Sequence, residues 1–186
     1  MKKTFLTALL MAAITCVAYA EDGSRLWLRS QRNSDLCEIT TKDKSNTAKI
    51  ATRELATYWH GKPVSLIKDK TATGEEGFEI TTDKSNGHIT IKAKNSCGLL
   101  YGAYELLRPQ DSGMPVNNIN IKENPAVKYR ILNHWDNLDR SVERGYAGLS
   151  IWKWDEINGD KGTMSLALKE RLTTYCRANA SIGING

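Results

Sequence analysis

The sequence predicts an α/β protein: a small, sandwich-like N-terminal α/β domain followed by the first strand–helix unit of a (β/α)8 TIM barrel. Apolar residues alternate in several short segments and recur at helical spacing between them, which is typical of a mixed sheet covered by helices. A polar stretch with a proline separates two parts of different composition near residue 124. We therefore expect a signal peptide at residues 1–20, an accessory domain at 21–124 and the start of a second domain at 125–186.

The first twenty residues have the features of an export signal. Lys2 and Lys3 precede an apolar run at residues 5–17, and Ala18–Ala20 has small residues at the two positions that signal peptidase reads. The run is shorter than the roughly 20 apolar residues of a membrane-spanning helix. We predict cleavage after Ala20, a secreted or periplasmic protein, and no membrane insertion. A lipid anchor at Cys16 is the alternative, but the residues before it match a lipoprotein signal poorly.

Charge and cysteine content exclude several classes of partner. The net charge of +5 falls to +3 once the two signal-peptide lysines are removed, and the charges are scattered, so we expect no nucleic-acid partner. The mature chain keeps Cys37, Cys97 and Cys176, whose wide spacing does not fit a CxxC metal or redox motif. They predict at most one disulfide, with buried free thiols as the favoured alternative.

Residues 25–123 carry the patterns of five strands and two helices. Alternation or a short apolar run predicts strands at Arg25–Arg29, Val64–Ile67, Phe78–Thr82, His88–Lys92 and Asn118–Lys122. Asn86-Gly87 predicts a hairpin turn between the third and fourth of these strands. One helix is predicted from an N-cap at Asn46 to a C-cap at Gly61, with its apolar stripe at Ile50, Leu55, Tyr58 and Trp59. A second helix is expected from Ser96 and should end before Pro109.

The second part of the chain has the pattern of an opening barrel. Tyr129–Leu132 is predicted as a strand, Met164–Ala178 has the apolar spacing of a helix, and Ala180–Ile184 begins another apolar run. Strand, polar loop, helix and strand in this order are typical of a βα barrel, in which functional residues follow the strand ends. A barrel needs roughly 250 residues, so we expect this chain to be a fragment of a longer protein.

A polar and aromatic cluster after the predicted strand is the candidate binding site. Indole rings stack on the apolar faces of sugars, carboxylates and amides bond to their hydroxyls, and arginine pairs with an acidic sugar. The candidate substrate-binding residues are Trp135, Asp136, Asn137, Glu143, Arg144 and Trp152. Purely structural roles remain open, because Trp152 could pack, Asp136 and Asp139 could cap the turn, and Glu143 and Arg144 could hold the loop. His134 has no companion at metal-ligand spacing.

The cluster does not supply a convincing pair of catalytic carboxylates. Glycosidases place two of them about 5–5.5 Å or 6.5–9.5 Å apart across the scissile bond. Asp136, Asp139 and Glu143 share one loop, so they cannot readily flank a sugar. We therefore assign no catalytic residue in this chain and expect the acid and base downstream of Gly186.

Three segments resemble known glycosidase sequences. Asn133–Asp155, reading NHWDNLDRSVERGYAGLSIWKWD, resembles the signature stretch of family 67 α-glucuronidases. Cys176–Gly186, reading CRANASIGING, is similar to the segment that follows it in that family. Gly98–Arg108, reading GLLYGAYELLR, resembles a helix in the N-terminal domains of several exo-acting glycosidase families.

The resemblance implies an enzyme that removes glucuronic acid or its 4-O-methyl ether from xylooligosaccharides in xylan breakdown. It implies an inverting mechanism without metal or organic cofactor, and a homodimer formed through a C-terminal helical region. Trp135 would line the uronic acid pocket, while Asp136, Asn137, Glu143 and Arg144 would form or brace its wall. Two alternatives remain: a secreted carbohydrate-binding module with Trp135 and Trp152 as platforms, or another exo-glycosidase with a similar N-terminal domain, such as a family 115 glucuronidase or a hexosaminidase.

Overall fold

A computed structural model of the chain describes residues 26–35, 37–142, 148–158 and 163–186. The predicted signal peptide and the candidate residues Glu143 and Arg144 lie outside this set. Within the described ranges, the helices are too short or too polar to cross a membrane. The predicted α/β class is confirmed, since helices and a single five-stranded sheet make up the regular structure described.

The sheet is mixed, as the sequence predicted. Its strands are β1 (Ile39–Thr41), β2 (Val64–Lys68), β3 (Phe78–Thr82), β4 (Ile89–Ala93) and β5 (Asn120–Glu123). They lie in the order β1-β2-β4-β3-β5, with β1, β2 and β4 parallel and with β3 antiparallel to both β4 and β5. The predicted hairpin is confirmed: β3 and β4 pair Ile80 with Ile91, and Gly87 in the connecting loop has φ +77°.

Two helices cover one face of this sheet. Helix α1 (Asn46–Tyr58) connects β1 to β2, and helix α2 (Ser96–Asp111) connects β4 to β5. Alternate strand residues face the helices and are buried with them, in a core that includes Leu55, Trp59, Val64, Leu66, Ile80, Ile91, Leu99 and Leu106. The residues between them, such as Ser65, Thr81 and Thr90, are partly or fully exposed. The sheet is therefore covered on one face and polar on the other.

The two helix ends differ from the prediction in ways that have local causes. Ser45, rather than Asn46, is the N-cap of α1, because its hydroxyl accepts the N–H of Ala48 at 3.2 Å. The predicted apolar stripe is correct at Leu55 but wrong at Ile50, which is exposed. Helix α2 does not end before Pro109; it continues to Asp111 because Pro109 lies in the last turn and is itself buried. Its burial offsets the backbone bond that proline cannot make.

The predicted strand at Arg25–Arg29 is wrong for the residues that are described. Leu26 has φ +53°, which is a turn conformation, and residues 26–30 pair with no strand of the sheet. The alternation did reflect burial, because Leu28 and Ser30 are buried and Ser30 Oγ donates to Asp111 at the end of α2. The first strand of the sheet is instead β1, whose three residues are too few to show a period.

In the second part, the predicted helix is confirmed and the predicted strand is not. Helix α3 (Trp154–Ile157) is a single turn, and helix α4 (Leu166–Ser181) follows it. Tyr129–Leu132 does not form a strand, although Leu132 N–H donates to Gly186 O and Asn185 N–H donates to Arg130 O, both at 2.9 Å. Two bonds are too few for a ladder. Cys37, Cys97 and Cys176 are unpaired, and the last two are exposed rather than buried as expected.

Candidate functional site

The loop after residue 132 folds back on itself through a short turn. Asp136 pairs with Val142 and Ser141 with Leu149 as isolated antiparallel bridges. Within the turn, Asn137 N–H donates to Ser141 O and Arg140 N–H donates to Asn137 O, both at 2.9 Å. The two bridges bring together residues that are six and eight positions apart.

Asp139 maintains the shape of this turn. The N–H and the hydroxyl of Ser141 donate to one carboxylate oxygen of Asp139, at 2.8 and 2.6 Å. These two hydrogen bonds from Ser141 hold the pKa of the Asp139 carboxyl below its ordinary value. Asp139 therefore has the turn-capping role that the sequence left open for it.

Asp136 is connected to Trp152 through Ser150. The buried Ser150 donates its hydroxyl to Asp136 Oδ2 at 2.7 Å and accepts the N–H of Trp152 at 3.0 Å. The guanidinium of Arg140 donates to the Ser150 carbonyl at 3.0 and 3.2 Å. Asp136 Oδ2 also lies 3.7 Å from Nδ1 of His134. The loop is thus organised around Ser150, with Asp136 as its acceptor.

Four rings pack together beside this carboxylate and form the aromatic cluster: His134, Trp152, Trp154 and Tyr175. Trp152 stacks on Trp154 at 6.1 Å and meets the edges of His134 and Tyr175 at 5.5 and 5.9 Å. Nε2 of His134 lies 2.7 Å from the hydroxyl of Tyr175. Such edge and stacked contacts each contribute about 0.5–1.5 kcal/mol beyond the area they bury.

The remaining predicted residues are more exposed than Asp136. Trp135, next to the cluster in sequence, leaves 48% of its surface accessible. Asn137 is exposed and donates its amide to Ser141 Oγ at 2.9 Å. The structure therefore joins Asp136 and Trp152 directly, places Asn137 in the adjoining turn and leaves Trp135 at the surface.

Two residues of the cluster were not predicted as part of the site. Tyr175 lies on α4, forty residues after Trp135. In the sequence it is only one of the apolar positions that predict a helix there. His134 was set aside because it lacked a metal-binding companion, yet its two ring nitrogens lie near Tyr175 and Asp136. In the described residues, histidine, cysteine and carboxylate side chains form no group of three that could hold a metal ion.

Chemically, the arrangement is suited to binding. It offers an exposed indole, a group of packed aromatic rings and polar atoms on the adjoining turn. The carboxylates of Asp136 and Asp139 each accept a serine hydroxyl, so both have a structural task in the loop. In the part of the loop that the structure describes, both aspartate carboxylates are therefore already engaged in holding its shape.

Comparison with known proteins identifies similar sequences in one enzyme family. Residues 110–186 match the family model described as the glycosyl hydrolase family 67 middle domain. "Alpha-glucuronidase A" of Emericella nidulans is 30% identical over 151 residues, which cover 78% of this chain and 16% of the relative. "Probable alpha-glucuronidase A" of Aspergillus clavatus is 38% identical over 112 residues, covering 60% of this chain and 12% of the relative.

The "Alpha-glucuronidase A" of Aspergillus tubingensis is likewise 38% identical over 112 residues, covering 59% of this chain and 12% of that protein. The chain thus spans about an eighth to a sixth of the length of the curated relatives that it matches. The matched middle-domain region contains the whole loop, the aromatic cluster and α4. Residues 110–186 thus carry the match to the middle domain of glycosyl hydrolase family 67, and the relatives that the chain matches are named α-glucuronidases.

Proposed function

We propose that this chain forms the N-terminal domain and part of the sugar-binding wall of an α-glucuronidase. The enzyme removes glucuronic or 4-O-methylglucuronic acid from xylooligosaccharides with inversion of configuration. Its catalytic acid and base come from residues that follow Gly186 in the full-length polypeptide. It acts outside the cytoplasm after removal of residues 1–20.

One observation carries the proposal: Trp135 is exposed beside a loop that Asp136, Ser150 and the aromatic cluster hold in place. An accessible indole suits the apolar face of a sugar ring, because a tryptophan side chain has few rotatable bonds and stacking therefore costs little side-chain entropy. Trp152 serves a different purpose, since three other rings already pack against it. Trp152 supports the loop, and Trp135 meets the substrate.

We further propose that, in the full-length polypeptide, residues 130–132 and 185–186 become the first two adjacent strands of a TIM barrel. The two backbone hydrogen bonds between them, with α4 in the intervening segment, support this arrangement. Tyr129 and Ile131 leave 66% and 61% of their surfaces accessible, and Ile182 is also exposed. In a closed barrel such residues would be covered by neighbouring strands and helices. The loop after residue 132 then lies at the carboxyl end of a strand, where barrel enzymes bind their substrates.

The activity is tested with the full-length polypeptide and an aldouronic xylooligosaccharide. Proton NMR should show release of free glucuronic acid, with the β-anomer appearing first because inversion changes the α-linkage. Initial appearance of the α-anomer would contradict inversion. Absence of release from any decorated xylooligosaccharide would contradict the enzyme itself.

The role of Trp135 is tested by Trp135→Ala in the same assay. Loss of one stacking contact should raise KM about 3- to 10-fold, with a smaller change in kcat. Trp27→Ala is the matched control, because Trp27 has nearly the same exposed fraction, 47%, but its indole donates to Ser181 on α4 and it does not belong to the loop after residue 132. Equal effects of the two substitutions on KM would contradict a specific role for Trp135.

A further inference from the structure

An ion pair joins the N-terminal domain to the helix that carries Tyr175. Arg177 on α4 donates from Nε and Nη2 to both carboxylate oxygens of Glu54 on α1, at 2.8 to 3.1 Å. The guanidinium also lies over the ring of Tyr58, 4.9 Å from its centroid. We infer that Glu54 is a positioning residue of the sugar site, because through Arg177 it fixes α4 and therefore Tyr175. This inference rests on the proposed function for its substrate.

Burial of this ion pair costs desolvation free energy, and only a well-matched geometry compensates for that cost. The Glu54 side chain is only 5% exposed, so its charge has lost nearly all of its water. A buried carboxylate is tolerated when a partner saturates it, and the two-pronged contact with Arg177 does so in one orientation only. Next to the pair, burial and then the nearby Glu54 charge raise the pKa of the Tyr104 phenol, so this ring remains neutral. The contact therefore fixes both the distance and the rotation of α4 relative to α1.

Helix α4 lies between the N-terminal domain and the aromatic cluster. Arg177 and Tyr175 are two residues apart, which places them about 200° apart around the helix axis, on opposite sides. Ala178, next to Arg177, is completely buried, and Ala180 packs against the core of the N-terminal domain. A shift of α4 on its Glu54 side therefore moves Tyr175 on the other side.

Tyr175 in turn sets the position of the rings that support the binding loop. Its hydroxyl is 2.7 Å from Nε2 of His134, and its ring meets the edge of Trp152. His134 adjoins Trp135 in sequence and lies beside Asp136. The chain of contacts thus runs from Glu54 through Arg177 and Tyr175 to His134, and Glu54 itself need not touch the substrate.

The same helix provides a matched control. Ser181, one turn beyond Arg177, accepts the indole N–H of Trp27 at 2.8 Å and offers its carbonyl to Arg108. Ser181→Ala removes the first of these contacts. It should weaken the attachment of α4 without disturbing the turn that carries Tyr175.

The test compares Glu54→Gln, Tyr175→Phe and Ser181→Ala in the full-length polypeptide. We expect Glu54→Gln to raise KM for an aldouronic xylooligosaccharide about 3- to 10-fold with kcat changed less than twofold, as loss of a positioned binding contact predicts. Tyr175→Phe keeps the ion pair and removes only the hydroxyl, so it should raise KM similarly without lowering Tm much. Ser181→Ala should lower Tm and leave KM unchanged.

A spectroscopic readout separates this inference from the proposed activity. The stacked pair of Trp152 and Trp154 should give a near-ultraviolet circular dichroism band, which Trp152→Phe identifies. Glu54→Gln and Tyr175→Phe should weaken that band well below Tm, with the far-ultraviolet spectrum unchanged. If Glu54→Gln lowers Tm but preserves both the band and KM, the pair is only a structural clamp and the inference is wrong. The band can be measured whether or not the polypeptide releases uronic acid.

Discussion

The two parts of this chain are held together by different forces. Residues 37–123 contain a core of sixteen buried residues shared by one sheet and two helices. In the described residues from 125 onward, only Ser150, Leu168 and Ala178 are buried. The first part therefore owes its fold to burial of apolar side chains, whereas the second part depends on polar contacts, many of them with the first.

The attachment of residues 127–131 shows how such polar contacts replace a core. Arg130 pairs with Glu76 in the loop between β2 and β3 and donates to the backbone carbonyls of Val127 and Gly183. Asn185 donates its amide to the same Glu76 carboxylate at 3.0 Å and to Lys128 O at 2.8 Å. One carboxylate of the first part thus organises both chain segments that we propose as neighbouring strands. The N-terminal domain therefore fixes the position of the segment that leads into the loop after residue 132.

A pair of tryptophan substitutions should separate the two forces most clearly. Trp59 is completely buried between α1 and the sheet, and its indole donates to Lys62 O at 2.8 Å. Trp59→Ala should cost about 3–5 kcal/mol of unfolding free energy, because it leaves a cavity and removes the indole hydrogen bond to Lys62 O. Trp135→Ala should change stability by less than about 0.5 kcal/mol, since that ring is half exposed. Urea unfolding followed by circular dichroism measures both changes. Similar losses of unfolding free energy would contradict the conclusion that apolar burial stabilises the first part and polar contacts stabilise the second.

Glycine substitutions should give the next largest effect, with a different cause in each part. A Cβ on Gly102 in α2 would lie 2.6 Å from Ile91 Cγ2, so Gly102→Ala should cost about 1–3 kcal/mol by overpacking. This loss should exceed the gain of about 1 kcal/mol in helix propensity. Gly148 has φ +74°, and no atom of the described residues lies within 4 Å of where a Cβ would be, so Gly148→Ala should cost about 1–2 kcal/mol through backbone strain.

Replacement by asparagine distinguishes these causes. Asparagine tolerates positive φ better than alanine, so Gly148→Asn should be milder than Gly148→Ala. At Gly102, asparagine should be worse than alanine because it is larger. Thermal unfolding measures the four variants, and the opposite order at either glycine would refute the assigned cause.

The sequence predicted the first part well because periodicity reports burial. The β3–β4 hairpin and both helices alternate or repeat with the period that their buried faces require. The failures have the same origin. Residues 26–29 alternate because Leu28 is buried against helices rather than in a strand, and β1 is too short to show a pattern.

In the second part, the sequence could indicate residue types but not neighbours. It singled out Asp136 and Trp152, which the structure joins through Ser150. It could not find the contact between His134 and Tyr175, which depends on how α4 docks on α1. That docking is set by an ion pair between residues 123 positions apart, and a single ion pair leaves no periodic trace.

The smallest expected effects concern two helices that begin in the same way. Each starts at a serine N-cap backed by a carboxylate: Ser45 with Asp43 on α1, and Ser165 with Glu156 on α4. Burial alone would raise the pKa of Asp43, but hydrogen bonds from Ser96 and Ser45 and the charge of Lys68 lower it below its ordinary value. Hydrogen bonds from Ser165 and then Lys153 lower the pKa of Glu156 to about 2.

Acid should therefore destabilise both helix starts, globally through Asp43 and locally through Glu156. A carboxyl whose pKa is lower in the folded protein stabilises it above the ordinary pKa, roughly 4, and this stabilisation disappears as pH falls through the folded value. Because Asp43 bridges both helices of the first part, Asp43→Asn should lower global stability by about 1 kcal/mol and flatten its acid dependence.

Glu156 contacts Ser165 at the start of α4 and its neighbour Lys153, so its effect should be local. Between pH 4.5 and about 2, amide exchange protection of the Leu168 N–H should fall as Glu156 is protonated. Protection of the Ala48 N–H should instead fall as Asp43 is protonated. Glu156→Gln should remove the acid dependence at Leu168 and leave Ala48 unchanged. If Glu156→Gln also changed protection at Ala48, the two helix starts would be coupled, and the second part would contribute to the stability of the first.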